Sequence, residues 1–447
     1  MDLFLLILKI VLVSLSVGLM LCWIPVMGWQ IVIGLRGFFS RKAPVKKEDK
    51  KYSFAVLICA RNEEKVIGNL IDSIRAQDYD PSLYRIFCVA DNCTDATAQV
   101  AREHGAEVIE RFDEKNRGKR FALELATAYV HNQYPDRFDA FLVFDADNLL
   151  APDFMQKISD GLCSGQDIVT GFRDTKNPFD SWVSGCYDIY WTLVMQLFNG
   201  VRYSWGLSSL VHGTGFAVRA ELLKDGWNTT TITEDGEFSI MQRLKGRKIA
   251  LIPDAHFYDE QPTRVKYFFA QFHRWEVGGM QCAKKLLGQA FRRIPQDPAD
   301  SLDCISFLLL PTAQTAMCLN LIPYGALLFL AGLPVKLLWV MLGVTVLMTL
   351  CVIALGLISL LRAGKPAGRM WRSVVLFPIF VLPMSVIATI AFFRPKTEWK
   401  TIPHESKINM ETVGEVPSDP LVDQMKKMAD NPIVDKMKKA VDKIRTE

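Results

Sequence analysis

The chain has 447 residues with a formal net charge of +4, and half of its residues are hydrophobic. Because these hydrophobic residues concentrate in residues 3–35 and 304–393, the composition excludes a wholly soluble protein and predicts an integral membrane protein. The residues between the two blocks have a soluble composition and suffice for one globular domain of ordinary size. The ten cysteines show neither paired spacing nor a zinc-binding pattern, so we expect them to be reduced and structural.

The two apolar blocks predict membrane spans. Residues 1–38 predict one N-terminal span, because the apolar run is too long and too uniform for a cleaved signal peptide. The C-terminal region, residues 304–394, contains three further apolar stretches near 305–331, 334–361 and 373–393. Each is longer than the roughly 20 residues that cross a bilayer, so we expect a helical membrane bundle.

Basic residues flank these spans and predict their orientation, because loops rich in Lys and Arg stay on the cytoplasmic side. One cluster follows the first span, and a second lies between the last two. This arrangement predicts a plasma-membrane protein with a cytoplasmic globular domain. The first cluster is Arg36, Arg41, Lys42, Lys46, Lys47, Lys50 and Lys51, and the second is Arg362, Lys365, Arg369 and Arg372. Three full C-terminal crossings would place the lysine-rich residues 395–447 outside, which conflicts with their charge. We therefore expect that the N-terminal block crosses twice or that one apolar block, most readily residues 304–331 with Pro311 and Pro323, is re-entrant or interfacial.

The globular region, residues 52–285, predicts alternating strands and helices in chain order. Strands are expected at 53–59, 84–90, 107–109 and 141–145, and helices at 66–74, 96–104 and 120–132. Continuous apolar strands joined by helical connections are typical of an α/β domain with a mostly parallel sheet. A linker or interfacial segment, residues 286–303, would join this domain to the C-terminal spans.

Two carboxylates follow the apolar strand that begins at Phe141. Asp145 and Asp147 are two residues apart, so an extended chain would direct both to one side. Open α/β sheets bind ligands at the carboxyl ends of their strands, and paired carboxylates suit Mg²⁺ or Mn²⁺, which would in turn hold a diphosphate. An Asp-rich turn that merely closes the strand is the alternative.

Four further motifs share an order along the chain. They are Val89-Ala90-Asp91-Asn92-Cys93-Thr94-Asp95, Asn116-Arg117-Gly118-Lys119, Thr231-Ile232-Thr233-Glu234-Asp235 and Gln271-Phe272-His273-Arg274-Trp275. With Asp145 and Asp147, they resemble family-two glycosyltransferases of the A-type fold. More narrowly, they resemble the membrane-embedded cellulose synthase-like group, which includes poly-N-acetylglucosamine, hyaluronan and cellulose synthases. The first motif looks most like the methanolan-type exopolysaccharide subgroup.

The resemblance implies a UDP-sugar donor and a bound Mg²⁺ or Mn²⁺. Asp147 would be the firmer metal ligand, and Asp145 would contact the metal or the ribose. The residues expected to bind the nucleotide are Ala60, Arg61, Glu63, Asp91, Lys119, Asp145 and Arg274. A carboxylate such as Asp91 can accept the imide N–H of uracil. From the residues alone, Asp91 could instead be an acid at a helix start, and residues 116–119 a solvated basic turn.

The resemblance also implies an acceptor side with a catalytic base. Asp235 would take the proton of the acceptor hydroxyl, with Glu234 and Thr233 in the same motif. One base opposite a diphosphate leaving group implies direct displacement and an inverted, β-linked product. If Asp235 starts a helix, we expect the helix terminus to lower its pKa. The expected acceptor-binding residues are Gly213, Gly215, Gln271 and Trp275, whereas His212 is expected to be structural.

We therefore expect an inverting, processive β-glycosyltransferase that uses UDP-glucose or UDP-N-acetylglucosamine and passes an exopolysaccharide across the membrane. The expected partners are the UDP-sugar donor, the growing polysaccharide acceptor and membrane lipids, with no nucleic acid. One alternative is transfer of a single sugar to a lipid acceptor. Another is a nucleotide-binding membrane receptor or scaffold without catalysis, which would be expected to lack some of the charged motif residues that are present.

The tail, residues 395–447, contains two similar units that start at Pro420 and Pro432. A proline at the first helical position and a Lys pair predict a short amphipathic helix in each unit, suited to an anionic membrane surface or a partner helix. A solvated tail is the alternative. The segment Trp399–His404 resembles a family ending that normally lies on the cytosolic side, which favours a cytosolic tail.

Overall fold

The computed structural model describes residues 3–39, 51–332, 335–396, 408–409 and 412. The basic residues 41–50, the Trp399–His404 segment and the two tail units lie outside these described residues.

The globular domain is built on an eight-stranded sheet, in the spatial order β3-β2-β1-β4-β7-β6-β8-β5. The strands are β1 (Phe54–Ala60), β2 (Tyr84–Asp91), β3 (Glu107–Arg111), β4 (Ala140–Asp145), β5 (Leu149–Leu150), β6 (Ile168–Thr175), β7 (Phe216–Arg219) and β8 (Ile249–Asp259). Strands β3, β2, β1 and β4 run parallel to one another. Strand β7 is antiparallel to its neighbours β4 and β6, and β6 and β8 are parallel to each other. The predicted mostly parallel α/β sheet is confirmed.

Helices cover the sheet and continue into the apolar ends of the chain. They are α1 (Leu3–Phe39), α2 (Ile67–Arg75), α3 (Thr97–Glu103), α4 (Lys119–Gln133), α5 (Phe154–Cys163), α6 (Trp182–Leu193), α7 (Gly200–Ser204), α8 (Glu234–Leu244), α9 (Val265–Arg293), α10 (Pro298–Leu330), α11 (Val335–Arg362), α12 (Trp371–Val381) and α13 (Pro383–Phe393). A π-helical segment, Val194–Asn199, joins α6 to α7, and short 3₁₀ turns lie at Pro81–Leu83 and Ala220–Leu223.

The central strands are apolar because both faces of the sheet are covered. On β1, Phe54 and Val56 pack on the side of α2 and α5, whereas Ala55 and Leu57 pack on the side of α4. Such two-sided burial explains the continuous apolar runs of the sequence. The parallel strands β1, β2 and β4 therefore end at one edge, and Ala60, Asp91 and Asp145 are their last residues.

Among the residues that the structure describes, four helical segments are long and apolar enough to cross a membrane: residues 3–37, 298–330, 336–362 and 371–393. The segment around Pro311 and Pro323 was expected to be re-entrant, but both prolines lie inside the continuous helix α10. An internal proline removes one hydrogen bond and bends a helix without reversing it. Helix α1 is likewise continuous from Leu3 to Phe39. Both expected reversals, in residues 304–331 and in the N-terminal block, are therefore corrected.

The predicted linker, residues 286–303, forms the end of α9 and the start of α10, where a buried ion network begins. Asp303 accepts hydrogen bonds from Arg243 at 2.7 Å, from Arg202 at 2.9 Å and from the Trp29 indole at 2.8 Å. Arg243 also pairs with Asp300 at 2.7 Å. Since these residues belong to α1, α7, α8 and α10, the network fixes two apolar helices against the globular domain.

A second buried network joins the loop between α11 and α12 to the globular domain. Lys365 in this loop pairs with Asp174 at 2.7 Å and with Asp188 at 2.6 Å, and it donates to the Thr192 hydroxyl at 3.0 Å. Asp174 lies on β6, and Asp188 and Thr192 lie on α6. This loop therefore lies against the globular domain.

Candidate active site

A cleft of about 990 Å³ opens at the edge where β1, β2 and β4 end. It brings together residues that are separated by more than 200 positions in the chain. The sequence-predicted residues that line it are Ala60, Arg61, Glu63, Asp91, Lys119, Asp145, Asp147, Gly213, Thr233, Glu234, Asp235, Gln271, Arg274 and Trp275. Gly215 is the one predicted site residue that is not part of this lining.

The loops after β1 and β2 are tied to each other at one end of the cleft. Asn62 adopts a left-handed conformation with φ of 58°, and its side-chain oxygen accepts the Thr94 backbone N–H at 2.8 Å. The backbone N–H of Glu63 donates to the Thr97 hydroxyl at 2.8 Å. Because these polar side chains bond to backbone groups, the two loops hold Ala60 and Asp91 in a fixed relation.

Asp91 is buried and is held by two neighbours that the sequence analysis did not identify. Arg111 donates to Asp91 Oδ1 at 2.6 Å, and the Asn92 amide donates to the same oxygen at 2.7 Å. Arg111 also donates to the Asn116 carbonyl at 2.7 Å, which anchors the loop before α4. Arg111 ends β3, next to β2, so the strand-end rule that predicted Asp91 could have found it.

Lys119 connects the end of β4 to the Gly213 segment across the cleft. Its ammonium group pairs with Asp145 and donates to the Gly213 carbonyl oxygen at 2.7 Å. Burial disfavours the charged ammonium and is the largest single effect, but Asp145, Cys59 and Glu234 together outweigh it and raise the pKa of Lys119 above its ordinary value. Lys119 is therefore a permanent positive charge in the cleft at neutral pH.

Asp147 is buried beside the end of β8. Its carboxylate accepts the Glu260 backbone N–H and the Asn148 amide, both at 3.3 Å. Asn148 in turn donates to Asp259 at 2.7 Å, and Arg173 donates to Asp259 at 3.0 Å. These contacts fix the turn that carries Asp147, and neither Arg173 nor Asp259 had a motif in the sequence that would have identified it.

The carboxylates Asp145 and Asp147 both reach the cleft, as expected for metal ligands. Within the described ranges of the chain, no group of three or more His, Cys, Asp or Glu side chains is arranged to hold an ion. That donor set still fits Mg²⁺ or Mn²⁺, because such ions are commonly held by one or two carboxylates with substrate phosphates and water. It does not fit a metal site formed by protein ligands alone.

Glu234 and Asp235 begin α8, and burial is the largest effect on the pKa of each carboxyl group. The pKa of Glu234 is raised to about 7 by burial and by the adjacent Asp235 charge, against the opposing charge of Lys119. Burial also raises the pKa of Asp235, although the Gly236 backbone N–H and the Lys119 and Arg274 charges oppose it. The helix terminus lowers the pKa of Asp235 as expected, through the Gly236 backbone N–H, but desolvation is the larger effect and the net shift is upward.

The two glycines of the Gly213–Gly215 segment have different surroundings. Gly213 has φ of +84°, and a Cβ built on it would lie 3.5 Å from Asp235 Oδ2, so the bare backbone leaves room beside the carboxylate. A Cβ on Gly215 would overlap the Phe257 ring. Gly215 is thus a packing residue of the sheet, and its predicted place in the acceptor site is corrected.

Helix α9 delivers three of the predicted side chains to the cleft. Gln271 accepts the Tyr187 hydroxyl at 2.6 Å, and the Trp275 ring contacts Trp191 edge-on with centroids 5.9 Å apart. The structure gives Arg274 no hydrogen bond or ion pair with any described residue, and its charge lowers the pKa values of Glu234 and Asp235. Arg274 is therefore available to an anionic ligand.

His212 has the structural role expected from the sequence. Its Nε2 is 2.9 Å from the Asn199 amide nitrogen, and its ring meets Trp191 edge-on. Burial, with the charges of Arg173 and Arg202, lowers the pKa of His212 to about 3. A neutral imidazole that is engaged at Nε2 is a poor candidate for the base.

Residues 51–278, just over half of the chain, match a sequence-family model described as Glycosyltransferase like family 2. A protein of Bacillus subtilis (strain 168) named probable glycosyltransferase YdaM is 26% identical over 62% of this chain and 68% of its own length. The beta-monoglucosyldiacylglycerol synthase of Synechocystis sp. is also 26% identical, over 58% of this chain and 55% of its own length. The chain thus spans only about half of this second relative.

One solved structure shares the fold over most of its length. It is the mannosyltransferase PcManGT from Pyrobaculum calidifontis in complex with GDP-Man and Mn²⁺, with a TM-score of 0.56 and 17% sequence identity. The alignment covers 86% of this chain and 99% of that chain, so it includes apolar helices as well as the sheet domain.

Proposed function

This chain belongs to the family described as Glycosyltransferase like family 2, and on that premise we propose that it transfers a sugar from a UDP-sugar to an acceptor hydroxyl with inversion at the anomeric carbon. The observation that carries the proposal is the single cleft that contains Asp91, Asp147, Asp235 and Arg274. These residues supply, in one place, a nucleobase acceptor, a metal ligand, a base and a phosphate-binding cation.

The donor would lie across the strand-end edge, with its base against Asp91. Arg111 and Asn92 both occupy Oδ1 of this carboxylate, which leaves Oδ2 for the single imide N–H of uracil. Arg274 and Lys119 would face the diphosphate, because both line the cleft and their charges act on Glu234 and Asp235. The related fold was solved with GDP-Man, so the choice of nucleotide needs a direct test.

Asp147, with Asp145, would hold Mg²⁺ or Mn²⁺. The related mannosyltransferase structure contains Mn²⁺, which supports this assignment. When bound, such an ion supplies positive charge that stabilises a departing diphosphate. The pair between Lys119 and Asp145 places a second positive charge beside the same position.

Asp235 would be the general base. Its carboxylate takes the proton of the acceptor hydroxyl as the acceptor oxygen bonds to the anomeric carbon, and the electrons of the breaking C–O bond leave with UDP. The raised pKa of Asp235 makes this carboxylate a stronger base than an ordinary aspartate. A single attack from the face opposite the diphosphate gives the inverted, β-linked product.

The acceptor that we favour is a growing polysaccharide. The cleft carries the Gln271, Arg274 and Trp275 set together with the aromatic residues Tyr190 and Trp191, and aromatic rings suit the apolar faces of successive sugars. Export of the chain between the membrane helices is part of this proposal. Its support is that the cleft lining includes Pro311 and neighbouring apolar residues of α10.

A lipid acceptor is the second candidate, and one observation favours it. The cleft ends against the apolar side chains of Phe307, Leu308, Leu310 and Pro311, where an acyl chain could lie. A relative of this chain is named beta-monoglucosyldiacylglycerol synthase. Transfer of one sugar to diacylglycerol would need this apolar end and no export path.

We also propose that the domain faces the cytoplasm of a multi-pass plasma-membrane protein. The loop that carries Lys365 is basic, and it lies against the globular domain through Asp174 and Asp188. Arg36, in the last turn of α1, is a further basic residue beside an apolar segment.

The test is a donor panel with the purified protein in lipid bilayers. UDP-glucose, UDP-N-acetylglucosamine and GDP-mannose are supplied with Mn²⁺, and released nucleotide is measured. Asp235→Asn should lower turnover about 10²- to 10⁴-fold, whereas Asp225→Asn, an exposed matched control, should not. Turnover only with GDP-mannose would overturn the UDP assignment, and undiminished turnover in Asp235→Asn would overturn the base.

Product analysis separates the two acceptors. Radiolabel that stays in water as a ladder of increasing length indicates a polysaccharide. Radiolabel that moves into organic solvent as one species, in vesicles that contain diacylglycerol, indicates a single transfer to lipid.

A further inference from the structure

We propose that Glu276 and Tyr190 form a second sugar subsite, which binds the acceptor ring next to the one that is attacked. This inference rests on the proposed function in one respect, namely that the cleft takes a glycosyl acceptor. It adds two residues that belong to none of the motifs identified in the sequence, and it requires an acceptor of at least two sugar units.

Glu276 is the acidic residue of α9, and it follows Trp275 directly. It lines the cleft and is half-buried, yet it has no hydrogen bond or ion pair with any residue that the structure describes. A partly buried carboxyl group without a partner is costly, because it loses water and gains nothing in return. Consistent with this, burial raises the pKa of Glu276 to about 8.

Tyr190 lies opposite on α6 and also lines the cleft. Its ring packs edge-on against Trp191, at 5.3 Å between centroids, and against Phe272, at 5.6 Å. Its hydroxyl has no hydrogen bond to a described residue, whereas the hydroxyl of Tyr187, one turn earlier, donates to Gln271. The ring is thus fixed by packing while the hydroxyl stays available.

The two groups lie close together, because the Tyr190 ring packs against Phe272, one turn before Glu276 on α9. The pKa of Tyr190 is raised to about 12, mainly by burial and further by the negative charge of Glu276. The rings of Trp191 and Trp275 border the same region of the cleft. Two available polar groups between aromatic rings can bind a sugar. The hydroxyls of the sugar hydrogen-bond to the polar groups, and the C–H face of the sugar ring packs against the aromatic rings.

The position along α9 assigns this subsite to the acceptor. Glu276 is one turn before Gly279, and a Cβ on Gly279 would lie 2.9 Å from the Pro311 ring of α10. The nucleotide loops that carry Ala60 and Asp91 are at the strand-end edge instead. A ring at Glu276 therefore lies toward the membrane helices, in the direction in which the rest of an acceptor chain would extend.

The test is direct carbohydrate binding in the absence of donor. The full-length protein in detergent is titrated with glucose, cellotriose, N-acetylglucosamine and chitotriose, and tryptophan fluorescence is followed, because Trp191 and Trp275 border the subsite. The wild type should bind one trisaccharide at least tenfold more tightly than its monosaccharide. Glu276→Gln should weaken trisaccharide binding about tenfold and Tyr190→Phe about threefold, while monosaccharide binding changes less than twofold.

Matched controls are Tyr267→Phe on the same helix and Glu103→Gln on α3, and both should bind as the wild type does. Thermal unfolding of each variant shows that the fold is retained. Equal binding of mono- and trisaccharide by the wild type, no trisaccharide binding, or unchanged binding in both subsite variants would overturn the inference. Because no donor is present, loss of sugar transfer from UDP-sugars would overturn the proposed function without affecting this result.

Discussion

Gly278 of α9 packs directly against Thr233, the residue that precedes the catalytic-motif acids, and a Cβ on the glycine would overlap the threonine side chain. The neighbouring Cys282 sulfur is 3.7 Å from the Thr233 hydroxyl. Because α9 also carries Arg274 and Trp275, this contact sets the distance from Asp235 to these two side chains, which we propose bind phosphate and acceptor. A small residue at position 278 is therefore a requirement of the site's geometry.

Replacement of Gly278 by alanine should lower sugar transfer at least tenfold, because α9 must shift away from Thr233 and small displacements of reacting groups are costly. The measurement is kcat/KM for the donor that supports turnover. Gly288→Ala on the same helix is the matched control, since nothing lies within 4 Å of its added Cβ. That variant should keep its activity and gain about 0.5–1 kcal/mol of stability. Equal activity of the two variants would contradict the packing argument.

The rate of transfer should fall as the pH is lowered, since Asp235 must be ionised to accept a proton. Its raised pKa places this loss at a higher pH than for an ordinary aspartate, and the Glu234 carboxyl titrates near 7 in the same pair. Lys119→Gln removes a charge that lowers both pKa values, so the acidic side of the kcat profile should move to higher pH. Lys115→Gln, at an exposed cleft residue, should leave the profile in place. A shift to lower pH in Lys119→Gln would refute the electrostatic assignment.

Chelation with EDTA should abolish transfer, and Mn²⁺ or Mg²⁺ should restore it. Asp147→Asn should raise the Mn²⁺ concentration for half-maximal activity about 100-fold, because it weakens one of two protein carboxylates. Asp153→Asn, whose carboxylate pairs with Lys157 on α5, is the control. Full activity of the chelated wild type would exclude a metal requirement.

Lys365→Met should destabilise the protein by about 3–5 kcal/mol, because Asp174 and Asp188 would remain buried without their cation. Burial already raises the pKa of Asp188 even with Lys365 present. Thermal unfolding in detergent measures the loss, and the exposed Lys224→Met is the control. The double variant Lys365→Met with Asp188→Asn should recover part of the stability. No recovery would mean that the carboxylate is not what destabilises the single variant.

The sequence predicted the strand-end residues well because their positions follow from local rules. A buried parallel strand ends where its apolar run ends, so Ala60, Asp91 and Asp145 had to meet at one edge. The motif acid Asp235 and the α9 side chains were predicted through resemblance to a family. Their meeting with the strand ends depends on how α8 and α9 pack, which no local pattern specifies.

What the sequence did not predict depends on contacts between distant segments. Arg173 and Asp259 form a buried pair behind Asp147, and each looks like an ordinary strand residue in the sequence. Asp303 and Lys365 were assigned to a linker and to a cytoplasmic loop, since isolated charges near membrane spans normally remain solvated. The lowering effect of the helix terminus on the pKa of Asp235 was predicted, but the larger, raising effect of burial was not, because burial depends on the whole fold whereas the helix terminus is visible locally.

The burial of Lys365 has a practical consequence for topology mapping. Reporter enzymes and epitope tags are usually inserted into short connections between spans, and the one after α11 would be an obvious choice. An insertion there would separate the lysine from its two aspartates and give a poorly folded protein whose reporter signal has no meaning. Lys224 and Asp225, whose side chains are exposed in the turn after the 3₁₀ segment Ala220–Leu223, offer a safer insertion point in the globular domain.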